Sequence, residues 1–125
     1  MLLDHGTLVA LIDSHEWRLL RNAGTEAVPV LVPAPTPALA EAHHASGTAG
    51  QRLAEATHAV AIGDWLHHQV ITRHLDHLVL IAPPRVLGEL RRHLTPAVEK
   101  IIVKELAKDL IGRHESEILA VLRGV

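Results

Sequence analysis

The sequence of 125 residues has no cysteine, tyrosine or phenylalanine and contains only two tryptophans. Because cysteine is absent, the chain can form neither a disulfide framework nor a zinc–thiolate site, and a cysteine nucleophile is excluded. No segment reaches the roughly 18 consecutive apolar residues of a membrane span, and the first residues do not follow the pattern of a secretory signal. We therefore expect a cytoplasmic protein without a membrane span.

Neither sign of charge dominates the chain. The 12 Lys and Arg residues and the 14 Asp and Glu residues give a formal net charge of −2, which argues against a molecule that is basic as a whole and binds nucleic acid for that reason. The charge is uneven, because residues 1–84 hold four basic and eight acidic residues and residues 85–125 hold eight basic and six acidic ones. The basic stretch from Arg85 to Arg113 is either an anion-facing surface or the solvated side of its helices and strands.

The length and an apolar content of 48% fit one folded domain over residues 1–125. Its first part has strand patterns, since TLVALI at 7–12 and WRLLR at 17–21 are joined by a short polar turn, and VPVLV at 28–32 adds a third strand. These segments predict an antiparallel meander. A loop follows at about 33–50, where prolines and glycines replace bulky apolar residues.

Helical patterns follow the loop. Residues 51–62 and 64–75 suit helices, and the sequence leaves open whether Gly63 separates two helices or interrupts one. The periodicity of residues 97–110 predicts a further helix, and residues 115–122 form a short amphipathic one.

A buried strand is predicted between these helices. The aliphatic run at 77–82 is typical of a strand that is covered on both faces. Pro83 and Pro84 then open a helix over 85–94, because a missing N–H loses nothing in a first helical turn. Gly88 inside that helix indicates close packing or the close approach of a partner.

The segment around this strand resembles a known family. The residues that carry the resemblance are Val79-Leu80-Ile81-Ala82-Pro83-Pro84-Arg85, Leu87-Gly88-Glu89-Leu90-Arg91, Lys108-Asp109-Leu110, and Glu115 with Ile118 near the end of the chain. They resemble the bacterial host attachment protein family, which is described as required for attachment to host cells. That family is grouped with bacterial proteins similar to the middle domain of the archaeo-eukaryotic release factor and of Pelota.

The resemblance implies an α/β fold with a mixed sheet of about five strands, in which the N-terminal antiparallel meander is joined by later strands and flanked by helices. It also implies that residues 101–107 form the last strand. We follow this implication rather than the periodicity, because Ile101-Ile102-Val103 is rich in β-branched residues.

The release-factor resemblance also draws attention to Gln51. In that middle domain, a Gly-Gly-Gln in a loop before a helix positions water at the peptidyl-tRNA ester, and Ala49-Gly50-Gln51 lies in the corresponding place. The first glycine is replaced by alanine, which restricts the backbone. Gln51 is therefore an outside candidate for catalysis, beside the alternative of an ordinary helix start, and we expect no enzymatic hydrolysis.

Arg85 is the main candidate for binding. It follows the buried strand and opens a helix, so it lies at the carboxyl edge of the sheet, where α/β proteins bind ligands and where the helix N-terminus favours anions. The candidate anion- or partner-binding residues are Arg85, Arg91, Arg92 and Lys108. The alternative for Arg85 is a structural ion pair with a carboxylate such as Asp109. Structural roles are assigned to Asp13, Pro83, Pro84, Gly88 and Asp109.

Two metal hypotheses remain as alternatives. His67, His68, His74 and His77 with Asp64 fall within 14 residues, but they form no metal-binding signature and are otherwise surface side chains. Asp13 at the end of the first strand is a nuclease-like carboxylate or, more simply, a turn former. We assign no metal site and no cofactor.

The leading functional hypothesis is therefore a non-enzymatic, release-factor-like domain that binds the ribosome, tRNA or a translation-associated partner. The alternative is a protein-interaction factor in cell attachment that does not bind RNA. A weaker alternative is a metal-dependent hydrolase that uses the histidines. The sequence does not give the oligomeric state.

Overall fold

The computed structural model describes the backbone of residues 3–39 and 48–124, with the side chains of all of these except 48–53. The elements in chain order are β1 (Leu8–Ile12), β2 (Trp17–Asn22), β3 (Leu31–Pro33), α1 (Thr48–Ile71), β4 (Leu78–Ala82), α2 (Pro84–Arg91), α3 (Pro96–Glu99), β5 (Ile102–Ala107) and α4 (Glu115–Arg123). The strands form one five-stranded sheet of order β3-β2-β1-β4-β5. Because β1–β3 are antiparallel neighbours and β1, β4 and β5 are parallel ones, the sheet is mixed and the predicted α/β class is confirmed.

Both faces of the sheet are covered, and alternate strand residues point to opposite sides. One face packs against α1, α2 and α3 in a cluster that contains Ala10, Leu80, Ile62, Leu90 and Val98. The other face packs against α4, where the buried residues include Val9, Ile81, Ile118 and Leu122. The helices therefore sandwich the central strands, as the continuous aliphatic runs of β1 and β4 require.

β4 lies inside the sheet, between β1 and β5. All five of its residues are buried. Its register pairs Leu11 with Ile81 on one side and Ala82 with Ala107 on the other, so the carboxyl ends of the three parallel strands lie along the same edge. The strand that leads to Arg85 is therefore a central one.

Gly63 lies inside a single helix rather than between two. α1 runs without a break from Thr48 to Ile71. A Cβ built on Gly63 would lie 2.6 Å from the backbone oxygen of His93, beyond the end of α2. The glycine is therefore required by the close approach of α1 to the segment after α2, and it does not end the helix.

Residues 97–110 are not a helix, so the prediction from periodicity is wrong and the prediction from the family resemblance is confirmed. A single helical turn, α3, is followed by β5, which pairs in parallel with β4. Leu78 pairs with Ile102 but Val79 pairs with Lys104, so Val103 is an extra residue in the ladder. Such a bulge shifts the side-chain alternation by one and removes the period of two.

Two further expectations are corrected or limited. The loop predicted at about 33–50 is shorter at its end, because the helix α1 already begins at Thr48, and residues 40–47 lie outside the described ones. Gly88 does not mark close packing, since no atom of the described residues, apart from the adjoining backbone of its own helix, lies within 4 Å of the position that its Cβ would take. Among the described helices, none combines the length and apolar character that crossing a bilayer would need.

Candidate functional site

The carboxyl edge of the three parallel strands brings three of the predicted residues to one side of the molecule. Asp13 directly follows β1, Arg85 is the second residue of α2 after β4, and Lys108 directly follows β5. Strand ends that share an edge in this way are where α/β proteins bind ligands. The sequence prediction that Arg85 stands at this edge agrees with the geometry.

A cavity of about 630 Å³ opens at this edge, between α1 and α2. Its residues come from the end of β1 and from the facing sides of the two helices. The apolar ones are Ile12, Ala56, Ala59, Val86 and Leu90, and the polar ones are Asp13, Ser14, Glu55, His58, Arg85 and Glu89. The cavity therefore combines an apolar wall with several ionisable groups, which is typical of a binding site.

Arg85 is held at the mouth of the cavity by an ion pair with Glu55 of α1. The Arg85 side chain is 76% exposed and the Glu55 side chain only 21%, so the guanidinium faces solvent while the carboxylate lies deeper. Asp109, the partner suggested by the sequence, is exposed beyond β5, and the described contacts give it no ion pair with Arg85. Sequence analysis did not predict Glu55 as the partner of Arg85, because the two residues are 30 positions apart in the chain.

The other two arginines of the predicted surface also have carboxylate partners. Arg91 Nε donates to Glu105 Oε1 of β5 at 2.9 Å, and Arg92 lies 3.5 Å from Glu89. The arginine side chains are 57% and 76% exposed, respectively. Pairs as exposed as these contribute about 0–1 kcal/mol to stability, because water screens them. The guanidinium groups are therefore accessible to an external partner.

The start of α2 explains how Arg85 is presented. Pro83 has extended backbone angles of φ −55° and ψ 151°, and Pro84 occupies the first turn. No side chain in the described part of the chain caps this helix end. The first N–H groups of the helix therefore remain available beside the Arg85 side chain.

Asp13 serves the turn between β1 and β2. Its Oδ1 accepts hydrogen bonds from the backbone N–H groups of His15 at 2.8 Å and Glu16 at 2.7 Å. These bonds hold the hairpin turn, and they place the Asp13 carboxylate on the cavity wall.

His58 is a cavity residue that sequence analysis did not single out. Its Nε2 is buried and has no hydrogen-bond partner within the described part of the chain. Glu55 and His58 are one helical turn apart and both line the cavity. In the sequence, the three-residue spacing of Glu55 and His58 indicates only that they share a face of a helix. It indicates a site once the packing of α2 against that face is known.

The histidines of the metal hypothesis have separate partners. His67 Nδ1 lies 2.7 Å from Thr95 Oγ1, His74 Nδ1 lies 3.0 Å from Thr72 Oγ1, and His77 Nε2 lies 3.3 Å from Asp4 Oδ2. In residues 3–39 and 48–124, no three His, Asp or Glu side chains converge as metal ligands would. The structure therefore does not bring together the ligands that the hydrolase hypothesis needs.

Gln51 lies in the first turn of α1 rather than in a loop. Its side chain is outside the described ones. The backbone around it has the conformation of an ordinary helix start.

The chain is similar to a known protein family and to a curated protein. The model of a family described as "Protein required for attachment to host cells" matches residues 37–122, which is more than half of the chain. An uncharacterised protein of Rickettsia prowazekii (strain Madrid E) is 50% identical over 37 residues. These residues are 30% of this chain and 25% of the relative, so the match spans about a quarter of the relative's length.

Proposed function

We propose that this chain, which belongs to the host attachment family, is a non-enzymatic, release-factor-like module of the cytoplasm that binds the ribosome, tRNA or a translation-associated partner. The contact surface is the arginine rim, which we define as Arg85, Arg91, Arg92 and Lys108. Pro83 and Pro84 open α2 and so position Arg85, and Asp13 holds the β1–β2 turn beside it. Gly88 leaves the exposed face of α2 open, and Asp109 follows Lys108 at the carboxyl edge of the sheet.

The observation that carries this proposal is the exposure of three guanidinium groups, two on the short helix α2 and one on Arg92 directly after it. Arg85, Arg91 and Arg92 are 76%, 57% and 76% exposed, and Lys108 is exposed at the carboxyl edge of the sheet, where Arg85 also lies. A guanidinium group binds phosphate oxygens through two parallel N–H···O bonds. The exposed ion pairs with carboxylates contribute only about 0–1 kcal/mol each, so little free energy is lost when a phosphate replaces the carboxylate. Release of counterions from RNA adds to the free energy of each phosphate contact.

The test is co-sedimentation of the protein with ribosomes at increasing salt. The variant Arg85→Gln/Arg91→Gln/Arg92→Gln is expected to lose most of its sedimentation, because three phosphate contacts are removed. Arg21→Gln/Arg73→Gln/Arg123→Gln removes the same charge from exposed positions elsewhere and serves as the matched control. Equal sedimentation of the two variants, with unfolding curves like that of the wild type, would exclude the rim as the contact surface.

A second candidate function is protein interaction without RNA. It is favoured by the pairing of Arg85, Arg91 and Arg92 with carboxylates, which leaves the rim less positive than the sequence predicts. The partner would then carry both signs of charge. A pull-down from lysate distinguishes the two functions, since nuclease treatment removes an RNA-dependent partner and leaves a protein-dependent one bound.

A further inference from the structure

We propose that the cavity between α1 and α2 binds an organic cation, that is, an ammonium or guanidinium group carried on an aliphatic stem. The cavity shares Arg85 with the arginine rim, but the proposal does not rest on ribosome or RNA binding. Two sources share this chemistry: a free polyamine, and a lysine or arginine side chain of a protein partner.

The charge of the cavity wall favours a cation. Asp13, Glu55 and Glu89 contribute three carboxylates, and Arg85 contributes one guanidinium, so the lining itself carries a net charge of −2 with His58 neutral. Glu89 also contacts Arg92 at 3.5 Å and His93 at 3.2 Å, both outside the lining, which leaves Asp13 and Glu55 as the main carboxylates for a cation. The Glu55 and Glu89 side chains are 21% and 31% exposed, respectively. Partly buried charges are less screened than surface ones, so the attraction for a cation is stronger here than on open surface.

The cavity already holds a group of this chemistry, supplied by the chain itself. The guanidinium of Arg85 pairs with Glu55, and its side chain is mostly exposed at the mouth. The exposed guanidinium is weakly held because solvent screens the pair. An external ammonium or guanidinium can therefore take its place beside Glu55 without leaving a buried charge unpaired.

The apolar part of the lining suits an aliphatic stem. Ile12, Ala56, Ala59, Val86 and Leu90 supply methyl and methylene surface next to the carboxylates. Long cationic side chains bury their stems on such surface and keep the charged end at polar groups. A volume of about 630 Å³ lies within the range of small-molecule pockets and exceeds what one lysine side chain needs.

An anion is the less favourable occupant of this cavity. The open N–H groups at the start of α2 and the Arg85 side chain attract phosphate. The three carboxylates of the lining repel it, and two of them are partly buried. A phosphate is therefore better placed at the exposed rim than inside the cavity.

The first experiment is an NMR titration at constant ionic strength. The cations are spermidine and two blocked amino acids, acetyl-arginine amide and acetyl-lysine amide, and the anion is adenosine monophosphate. We expect saturable shifts at the backbone amides of Ser14, Ala59 and Val86 for the cations. Stronger binding of spermidine identifies a free polyamine as the source of the cation. Stronger binding of the blocked amino acids identifies a lysine or arginine side chain of a protein partner. Shifts of these amides by adenosine monophosphate alone would overturn the proposal.

Charge-removing variants test the carboxylates. Glu89→Gln and Asp13→Asn are expected to weaken cation binding about tenfold each, because each removes a charged hydrogen-bond acceptor. Asp13→Asn keeps the oxygen that accepts the turn N–H groups, so the hairpin is retained. Glu117→Gln is the matched control on α4, where the side chain is 56% exposed and pairs with Arg113. An equal loss in the control variant would show charge screening alone and would contradict the proposal.

Arg85→Gln gives the sharpest test, because the two proposals predict opposite signs. Removing the Arg85 guanidinium leaves Glu55 without its ion-pair partner and makes the lining more negative. Cation binding is therefore expected to strengthen several-fold. Ribosome or RNA binding through the rim is expected to weaken in the same variant. Weaker cation binding in Arg85→Gln would overturn the cavity proposal and leave the rim proposal intact. Unchanged RNA binding in this variant would overturn the rim proposal and leave the cavity proposal intact.

Discussion

Arg85 in the first turn of α2 pairs with Glu55 on α1, 30 residues earlier in the chain. The pair joins the two helices that border the cavity at the carboxyl edge of β1 and β4. Because the guanidinium is far more exposed than the carboxylate, the pair presents a positive group outward and keeps a negative one inside. The same side chain therefore takes part in the rim and in the cavity.

Gly63→Ala is expected to destabilise the protein. The new Cβ would lie 2.6 Å from the backbone oxygen of His93, and a backbone atom does not move aside cheaply. Overpacking of this kind costs about 1–3 kcal/mol of unfolding free energy. Urea unfolding of the variant measures the cost, and an unchanged midpoint would contradict the close approach of α1 to this segment.

Gly88→Ala is expected to have the opposite effect. Within the described residues its Cβ would meet no atom outside the helix's own backbone within 4 Å, and alanine favours a helix interior over glycine by about 1 kcal/mol. The free energy of unfolding should therefore rise by roughly this amount in the same urea experiment. A loss of stability would show that this face of α2 is covered by something the described residues do not include.

Glu115 at the start of α4 links stability to pH. Backbone hydrogen bonding at this residue lowers the pKa of its carboxyl group, partial burial opposes the shift, and Arg18 and His114 lower the pKa further. Because the pKa is lower in the folded state, the ionised carboxylate stabilises the fold above the unfolded-state pKa. This contribution is lost as the pH falls through the folded-state pKa.

The prediction for Glu115→Gln is therefore a loss of stability at neutral pH that shrinks in acid. Urea unfolding between neutral pH and about pH 3 measures the difference. Glu117→Gln on the same helix controls for the general effect of removing one negative charge. A difference between wild type and Glu115→Gln that stays constant with pH would show that the carboxylate is not linked to folding.

His58→Leu is expected to stabilise the protein by about 1 kcal/mol. The Nε2 of His58 is buried with no partner in the described part of the chain, and an apolar side chain avoids that penalty. Thermal unfolding, monitored by circular dichroism, measures the change. A destabilised variant would mean that the imidazole has a hydrogen-bond partner in solution.

The sheet was predictable from sequence where strands are fully buried. β4 is read directly from its aliphatic run, since covered strands need no polar alternation. β5 was not readable from periodicity, because the extra Val103 breaks the alternation and the edge position leaves its residues only partly buried. Its β-branched residues and the family resemblance were the usable signals.

The site was predictable only in part. Pro83 and Pro84 after a buried strand were enough to place Arg85 at the carboxyl edge. Its partner Glu55 and the cavity residue His58 come from α1, and their meeting with α2 depends on the packing of α1 around Gly63. Such long-range packing leaves no local pattern in the chain.

The most direct test of the rim is the salt dependence of tRNA binding, followed by fluorescence anisotropy. The slope of log affinity against log salt counts the phosphate contacts. We expect Arg85→Gln/Arg91→Gln/Arg92→Gln to reduce this slope by about one unit per arginine, and Arg21→Gln/Arg73→Gln/Arg123→Gln to reduce it less. Equal slopes for the wild type and the variant Arg85→Gln/Arg91→Gln/Arg92→Gln would contradict the proposal that the arginine rim contacts phosphate.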